Sequence, residues 1–208
     1  MQIISHRGYW KTLEEKNTEI AFRRSFEMGF GTETDIRDIA GTLVISHDPP
    51  KGSEMPFDRF LQIYSEYDKS LYLALNIKSD GLQNELKRLI NKYNIQNYFV
   101  FDMSIPDTIG YINQGLNVFS RSSEYEKDLP FYGKSTGVWM DCFNSDCITN
   151  DKIEYHLNNS KQVCIVSSEL HKREHILAWK QYKKLNTQNI MLCTDYPQQA
   201  KEFFNGPN

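Results

Sequence analysis

The sequence predicts an α/β protein folded as a compact (β/α)8 TIM barrel. Three observations carry that expectation. Short apolar strands alternate with helical stretches along the whole chain, in eight strand-then-helix units. The strands are rich in β-branched and large apolar residues, as parallel strands covered on both faces must be. Polar residues gather at strand ends: His6 and Arg7, Asn76 and Lys78, Asp102, Ser120 and Arg121, Asp141, Ser167 to Glu169, and Thr194 with Asp195. In a barrel these positions ring one mouth, where active sites lie. An open doubly wound sheet shares the alternation, but the phosphate-binding glycine fingerprint of that fold is absent. Here Gly29-Phe30-Gly31 precedes a strand, not a helix.

Residues 2–5 read as the first strand and 17–28 as a helix, capped by Asn17 or Thr18 and stopped by Gly29. Residues 30–37 and 42–46 form a strand and a paired extension around a turn. A loop at 49–52 leads to a helix at 56–67 that opens on Pro56, where proline fits. Strand 71–77 alternates Leu71, Leu73, Leu75 and Ile77 on one face. Helix 81–93, strand 98–101, helix 106–113 and strand 117–120 follow. Residues 124–127 offer at best a helical turn before the loop 129–135. Strand 137–140, helix 151–157, strand 162–166, helix 173–184, strand 190–193 and helix 198–204 complete the series. With no linker or internal repeat in sight, residues 1–208 are expected to form a single domain.

Composition narrows the function classes. The chain is 39% hydrophobic and 25% charged, ordinary for a globular protein. A net charge of −3 argues against nucleic acid as a partner held by a broad basic surface. No run approaches the roughly 18 apolar residues that span a bilayer, so stable membrane insertion is not expected. The start, Met1-Gln2-Ile3-Ile4-Ser5-His6-Arg7, reads as a strand and not as a signal peptide. Cys164 and Cys193 sit in apolar strands as buried thiols. Cys142 and Cys147 lack the second pair of a zinc site. The expectation is a reduced, cytoplasmic protein.

Glu33 and Asp35 stand two residues apart inside an apolar stretch, so both aim to one face of their strand. Strand ends that simply close in polar turn residues account for Asp102, Asp141 and Asp195, but not for this pair. With His6 and Arg7 after the first strand and His47 after the paired extension, the set fits phosphate chemistry.

His6-Arg7-Gly8, Asn17-Thr18 with Ala21-Phe22, Glu33-Thr34-Asp35, Ser46-His47-Asp48 and Thr194-Asp195-Tyr196-Pro197 resemble the glycerophosphodiester phosphodiesterase family. These elements occur in the family's order and span nearly the whole chain. The wider superfamily includes phosphatidylinositol-specific phospholipase C and the sphingomyelinase D-like phospholipases. The resemblance implies a (β/α)8 barrel and divalent-metal-dependent cleavage of a phosphodiester. It departs from the family at three places. Lys16-Asn17-Thr18 stands where the family has Glu-Asn-Thr. Asn76-Ile77-Lys78 stands where it has Glu-x-Lys, so the third metal ligand becomes an amide. The span from His47 to Asn76 is too short for the family's small insertion domain.

Hard carboxylate oxygens of Glu33 and Asp35, with the carbonyl oxygen of Asn76, suit one Mg2+ or Ca2+. The competing reading is a buried carboxylate pair neutralised by Arg7 or Lys78. His6 and His47 are the candidate general base and general acid, since imidazole titrates near neutral pH. The resemblance assigns His6 to the nucleophile and His47 to the leaving group. Arg7 and Lys78 are candidate phosphate clamps. Asp141, beside Trp139, lines a leaving-group pocket or serves as a turn residue. Tyr9, Trp10, Phe101 and Phe143 shape a cleft or pack the core. His171 and His175, four apart without a Glu-x-x-His context, are expected at the surface. The expected partner is a small-molecule phosphodiester such as a glycerophosphodiester. A lipid-directed phospholipase and a degenerate barrel that only binds a phosphorylated ligand are the alternatives.

Overall fold

In the computed structural model, residues 1–185 and 188–206 are described. Strands β1 (Gln2–His6), β2 (Gly31–Ile39), β3 (Thr42–Ile45), β4 (Leu73–Ile77), β5 (Tyr98–Phe101), β6 (Phe119–Ser122), β7 (Gly137–Met140), β8 (Gln162–Val166) and β9 (Ile190–Thr194) alternate with helices. These are α1 (Glu19–Glu27), α2 (Phe57–Tyr64), α3 (Gln83–Tyr93), α4 (Ile105–Asn113), α5 (Asn150–Asn158), α6 (Ile176–Tyr182) and α7 (Pro197–Asn205). The strand order β5-β4-β2-β1-β9-β8-β7-β6 is that of a (β/α)8 barrel. β3 lies off this path, paired antiparallel to β2. Contacts divide the chain into two compact units, Ser5–Val118 and Met1–Ile4 with Phe119–Asn208.

In the unit Ser5–Val118, β2, β4 and β5 pair in parallel, with Asp35 opposite Asn76 and Asn76 opposite Phe101. All five residues of β4 are buried, so the alternation expected on one face gives way to burial on both. One apolar cluster fills this unit, including Phe22, Ile36, Phe60, Leu75 and Val100. Helices α1 and α2 meet through edge-on rings, Phe22 against Phe60 at 4.7 Å and Phe26 against Tyr64 at 5.4 Å. Thr18 holds the N-cap position of α1, but its hydroxyl donates to Glu15 O at 2.6 Å and does not cap the helix. Gly29, at φ +75°, ends it as expected.

In the second unit, β6, β7, β8 and β9 run parallel in that order. Trp179 of α6 is fully buried and donates from Nε1 to Ser167 Oγ at 2.7 Å. The segment between β6 and β7 carries no helix, so the fifth strand-then-helix unit lacks its second half. Local polar bonds replace it. Ser123 Oγ accepts from the backbone N–H groups of Tyr125 and Glu126, and Arg121 pairs with Glu126 at 2.5 Å. The expected helix at 173–184 begins only at Ile176, after a 3-10 turn over Ser168–His171. Cys164 and Cys193 are buried thiols, as expected. Cys142 and Cys147 are not reduced: they form a disulfide, with Cα atoms 5.9 Å apart.

Gly137 is a tight point. A Cβ there would press into the Phe119 ring and lie 2.7 Å from the Gln162 carbonyl oxygen. Gly137→Ala should therefore lower stability by about 1–3 kcal/mol. An unchanged thermal midpoint for that variant would show that the neighbouring strands give way freely.

Candidate active site

The site begins where β1 ends. His6 closes the strand, and Arg7 then turns into the left-handed region at φ 58°. Its backbone N–H donates to Glu33 O at 3.0 Å and lies 3.2 Å from Glu33 Oε2. Gly8 follows at φ +83°, where a Cβ would meet Ala21 at 2.8 Å. Only glycine allows helix α1 to approach this closely, which gives His6-Arg7-Gly8 and Ala21 one physical cause. Asn17 is also left-handed, at φ 59°, and its N–H donates to Arg7 O at 3.0 Å. Asp102, at φ 69°, is a third such residue. Non-glycine residues in this region cost about 1–3 kcal/mol each and gather at functional sites.

Asp35 is the hub. It is fully buried in β2. Arg7 Nε stands 3.0 Å from its Oδ2, close enough for an ion pair but misaligned for a directed hydrogen bond. Asn17 Nδ2 donates to the same oxygen at 2.9 Å, and Thr34 Oγ1 orients that amide by donating to Asn17 Oδ1 at 2.9 Å. Lys78 Nζ lies 3.6 Å from Asp35 Oδ1 and 3.8 Å from Asp102 Oδ2. Both cations thus lean on Asp35. Glu33, only 2% exposed, has the backbone N–H of Arg7 and the His6 ring, with Nε2 3.9 Å from Glu33 Oε2. Burial first, and the Asp35 charge second, push the Glu33 carboxyl well above its ordinary range, to about 8.

That shift has a direction in pH. A carboxyl whose folded pKa is raised holds its proton longer in the folded chain, so stability falls as pH rises from about 4.5 towards 8. Glu33→Gln should flatten that slope and leave the metal-free protein more stable than wild type at pH 8. Denaturant midpoints taken across the range check this. A wild-type slope equal to the variant's would remove Glu33 as its source.

The donor set fits a divalent cation. Asp35 Oδ1 and Asn76 Oδ1 are both buried and have no hydrogen-bond partner. A hard cation would satisfy both atoms and favour the ionised form of Glu33. Three oxygen-bearing side chains are thus placed on adjacent strands, Glu33 and Asp35 on β2 and Asn76 on β4.

His47 follows β3, which the Ile36–Ile45 register and the bond from Ser46 N to Asp35 O (3.0 Å) hold against β2. Its side chain is about half exposed, and Nδ1 lies 2.8 Å from Asp48 Oδ1. It lines a cavity of about 570 Å3 together with Arg7, Lys16 and Asn17. No hydrogen bond joins it to the carboxylate pair. Lys16 also sits 4.4 Å over the Trp10 ring.

Trp139 and Asp141 belong to the second unit. Trp139 is 4% exposed in β7, and Asp141 Oδ1 pairs with His171 Nε2 at 2.6 Å. His171 and His175 are therefore not bare surface residues. The first is held by Asp141, and the second packs on Trp179 at 4.5 Å with its Nε2 buried. Three polar residues escaped the sequence argument as site members: Asn17, Asp48 and Asp102. Asn17 carried a signal, since it stands in the Asn17-Thr18 element. Its role as the donor that clamps Asp35 needed the fold.

No family model and no curated protein matches the sequence. Solved structures do match the fold. A protein from Galdieria sulphuraria, described as a candidate glycerophosphodiester phosphodiesterase, aligns with a TM-score of 0.77 and 18% identity, covering 98% of this chain and 97% of its own. A phosphodiesterase from Oleispira antarctica, in complex with the product sn-glycerol-3-phosphate, gives 0.72 and 14%, covering 99% and 97%. A Ca2+-dependent phosphatidylinositol-specific phospholipase C from Streptomyces antibioticus gives 0.63 and 10%, covering 98% and 95%. At these identities the likeness establishes the barrel fold.

Proposed function

We propose that this protein is a metal-dependent phosphoric diester hydrolase acting on a small phosphodiester such as a glycerophosphodiester. The observation that carries the proposal is the buried pair Glu33 and Asp35, with oxygens on Asp35 and Asn76 that take no hydrogen bond, beside His6 and Arg7. Glu33, Asp35 and Asn76 would hold one divalent cation, Mg2+ or Ca2+, as their hard oxygens prefer. When bound, the cation supplies charge withdrawal from a phosphoryl oxygen.

The remaining chemistry falls to the chain's own residues. Arg7 and Lys78 hold positive charge where a phosphate's equatorial oxygens gather it. His6, with the Glu33 carboxyl near its Nε2, is suited to take the proton of the attacking oxygen. Nδ1 of His47 faces Asp48, so the opposite ring nitrogen would be the one to give a proton to the leaving oxygen. Thr18, Ser46, Ser53 and Arg59 line the cavity together with Ile45 and Met55, so its open surface is about evenly polar and apolar and suits a small leaving group with hydroxyls to bond. No described helix is long and apolar enough to cross a membrane.

The test is a panel of phosphodiesters, from glycerophosphodiesters to lipid diesters, assayed for monoester release with Mg2+, Ca2+ or chelator. The small soluble diesters should turn over, and chelator should stop them. Turnover that ignores chelator would remove the cation from the proposal. Binding without any turnover across the panel would leave a ligand-binding barrel instead.

A further inference from the structure

Apart from the carboxylate pair, one cluster of metal-ligating atoms stands out among the described residues. A carboxylate oxygen of Glu124 and the sulfurs of Cys142 and Cys147 all lie within 4.8 Å of one another. The disulfide closes the loop that follows β7. Glu124, just after β6, is held against that loop: it accepts the backbone N–H of Phe143 at 2.9 Å and of Asn144 at 2.6 Å. Burial works against its negative charge, but these backbone donors prevail and keep the carboxyl below its usual range. Among the described residues no cationic side chain pairs with it.

The loop does not depend on the sulfur–sulfur bond alone. Arg173 donates to Cys142 O at 2.6 Å and also binds Asp146. Lys152 Nζ donates to Cys147 O at 2.8 Å. Asn144 Nδ2 donates to the Tyr125 hydroxyl at 2.7 Å. These bonds, with those to Glu124, survive reduction, so the two thiols would stay near the carboxylate. Two thiolates on one cation with bonds of about 2.3 Å sit roughly 3.7 Å apart in tetrahedral geometry. With the Cα atoms 5.9 Å apart, rotation of the two side chains supplies that separation.

We propose that Cys142, Cys147 and Glu124 form a redox-gated site for one thiophilic divalent cation of the zinc class, shut as the disulfide and open as the dithiol. A dithiol reductant gives two electrons and two protons to the Cys142–Cys147 bond and is itself oxidised to a disulfide. Each of the two thiols formed then loses its proton to solvent as its sulfur takes the cation. Glu124 is the third ligand, and solvent fills the fourth position.

Zn2+ and Co2+ are the probes. Full-length protein is reduced, freed of reductant without oxygen, and titrated with Co2+, following the thiolate-to-cobalt charge-transfer band, and then with Zn2+ to displace it. The reduced wild type should develop the band with one equivalent, and the oxidised protein should not. Cys147→Ser should lose it, and Glu124→Gln should weaken binding at least about tenfold. A Glu33→Gln variant should retain it, which separates this site from the carboxylate pair. Far-ultraviolet circular dichroism of each variant guards against unfolding. No band in reduced, folded wild type overturns the proposal. So does a band equal in Cys147→Ser, which would show that the cation does not sit on the Cys142–Cys147 pair.

Discussion

Replacing His6 by alanine should cut phosphodiester turnover by about 10²–10⁴-fold, the usual contribution of a positioned acid or base. His47→Ala should do the same. Neither change should unfold the chain, because His6 is only partly buried and His47 is about half exposed. The two losses should differ in their dependence on the leaving group. A substrate whose leaving alcohol is already acidic needs little protonation, so it should rescue His47→Ala and leave His6→Ala slow. If both variants keep full activity, the two-histidine chemistry fails. If an acidic leaving group rescues only His6→Ala, the roles are reversed.

The second large effect belongs to Asp35. Asp35→Ala removes the group on which Arg7, Lys78 and Asn17 converge. Taking one partner from a buried charged network costs about 3–5 kcal/mol, because Arg7 loses its carboxylate in a largely desolvated setting and Lys78 keeps only Asp102. Asp35→Asn keeps the shape and an acceptor for Asn17 but loses the charge. It should be less damaging to the fold and equally damaging to cation binding. Urea midpoints measure the first, and calorimetric titration with Mg2+ or Ca2+ measures the second. An Asp35→Ala protein as stable as wild type would mean that Arg7 and Lys78 find solvent readily, and the network would not be structural.

Much of the barrel was legible because its strands are short and apolar. Tyr98–Phe101, Gly137–Met140 and Gln162–Val166 occupy the residues expected from hydrophobicity alone. β6 falls two residues later than expected, at Phe119–Ser122. Its polar end reads as a turn in sequence, yet Arg121 and Ser122 pair with Trp139 and Met140. Helix ends were less legible, since tertiary contacts and not propensity set them. Thr18 spends its hydroxyl on Glu15 and so gives no capping bond. The carboxylate pair was legible because charge inside an apolar strand has few structural explanations. Its partners were not, because the link from Asn17 to Asp35 joins the turn before α1 to β2 through a left-handed backbone that sequence does not announce. The disulfide was hidden for a related reason. Spacing cannot say whether two loop cysteines face each other, and here the loop between them folds back to bring their Cα atoms together.

The β2–β3 hairpin has a further consequence for how this chain can be altered. β3 is joined to β2 through an antiparallel register that runs from Ile36–Ile45 to Ile39–Thr42. His47 is therefore placed by the strand pairing and not by the length of the connection at its far end. That connection is Ala40 and Gly41, both exposed and both with positive φ. Residues added between them lengthen the tip while both strand ends keep their partners. The tip is thus a graft point. A reporter peptide or an affinity handle can be carried there, with His47 left in place at the other end of the ribbon.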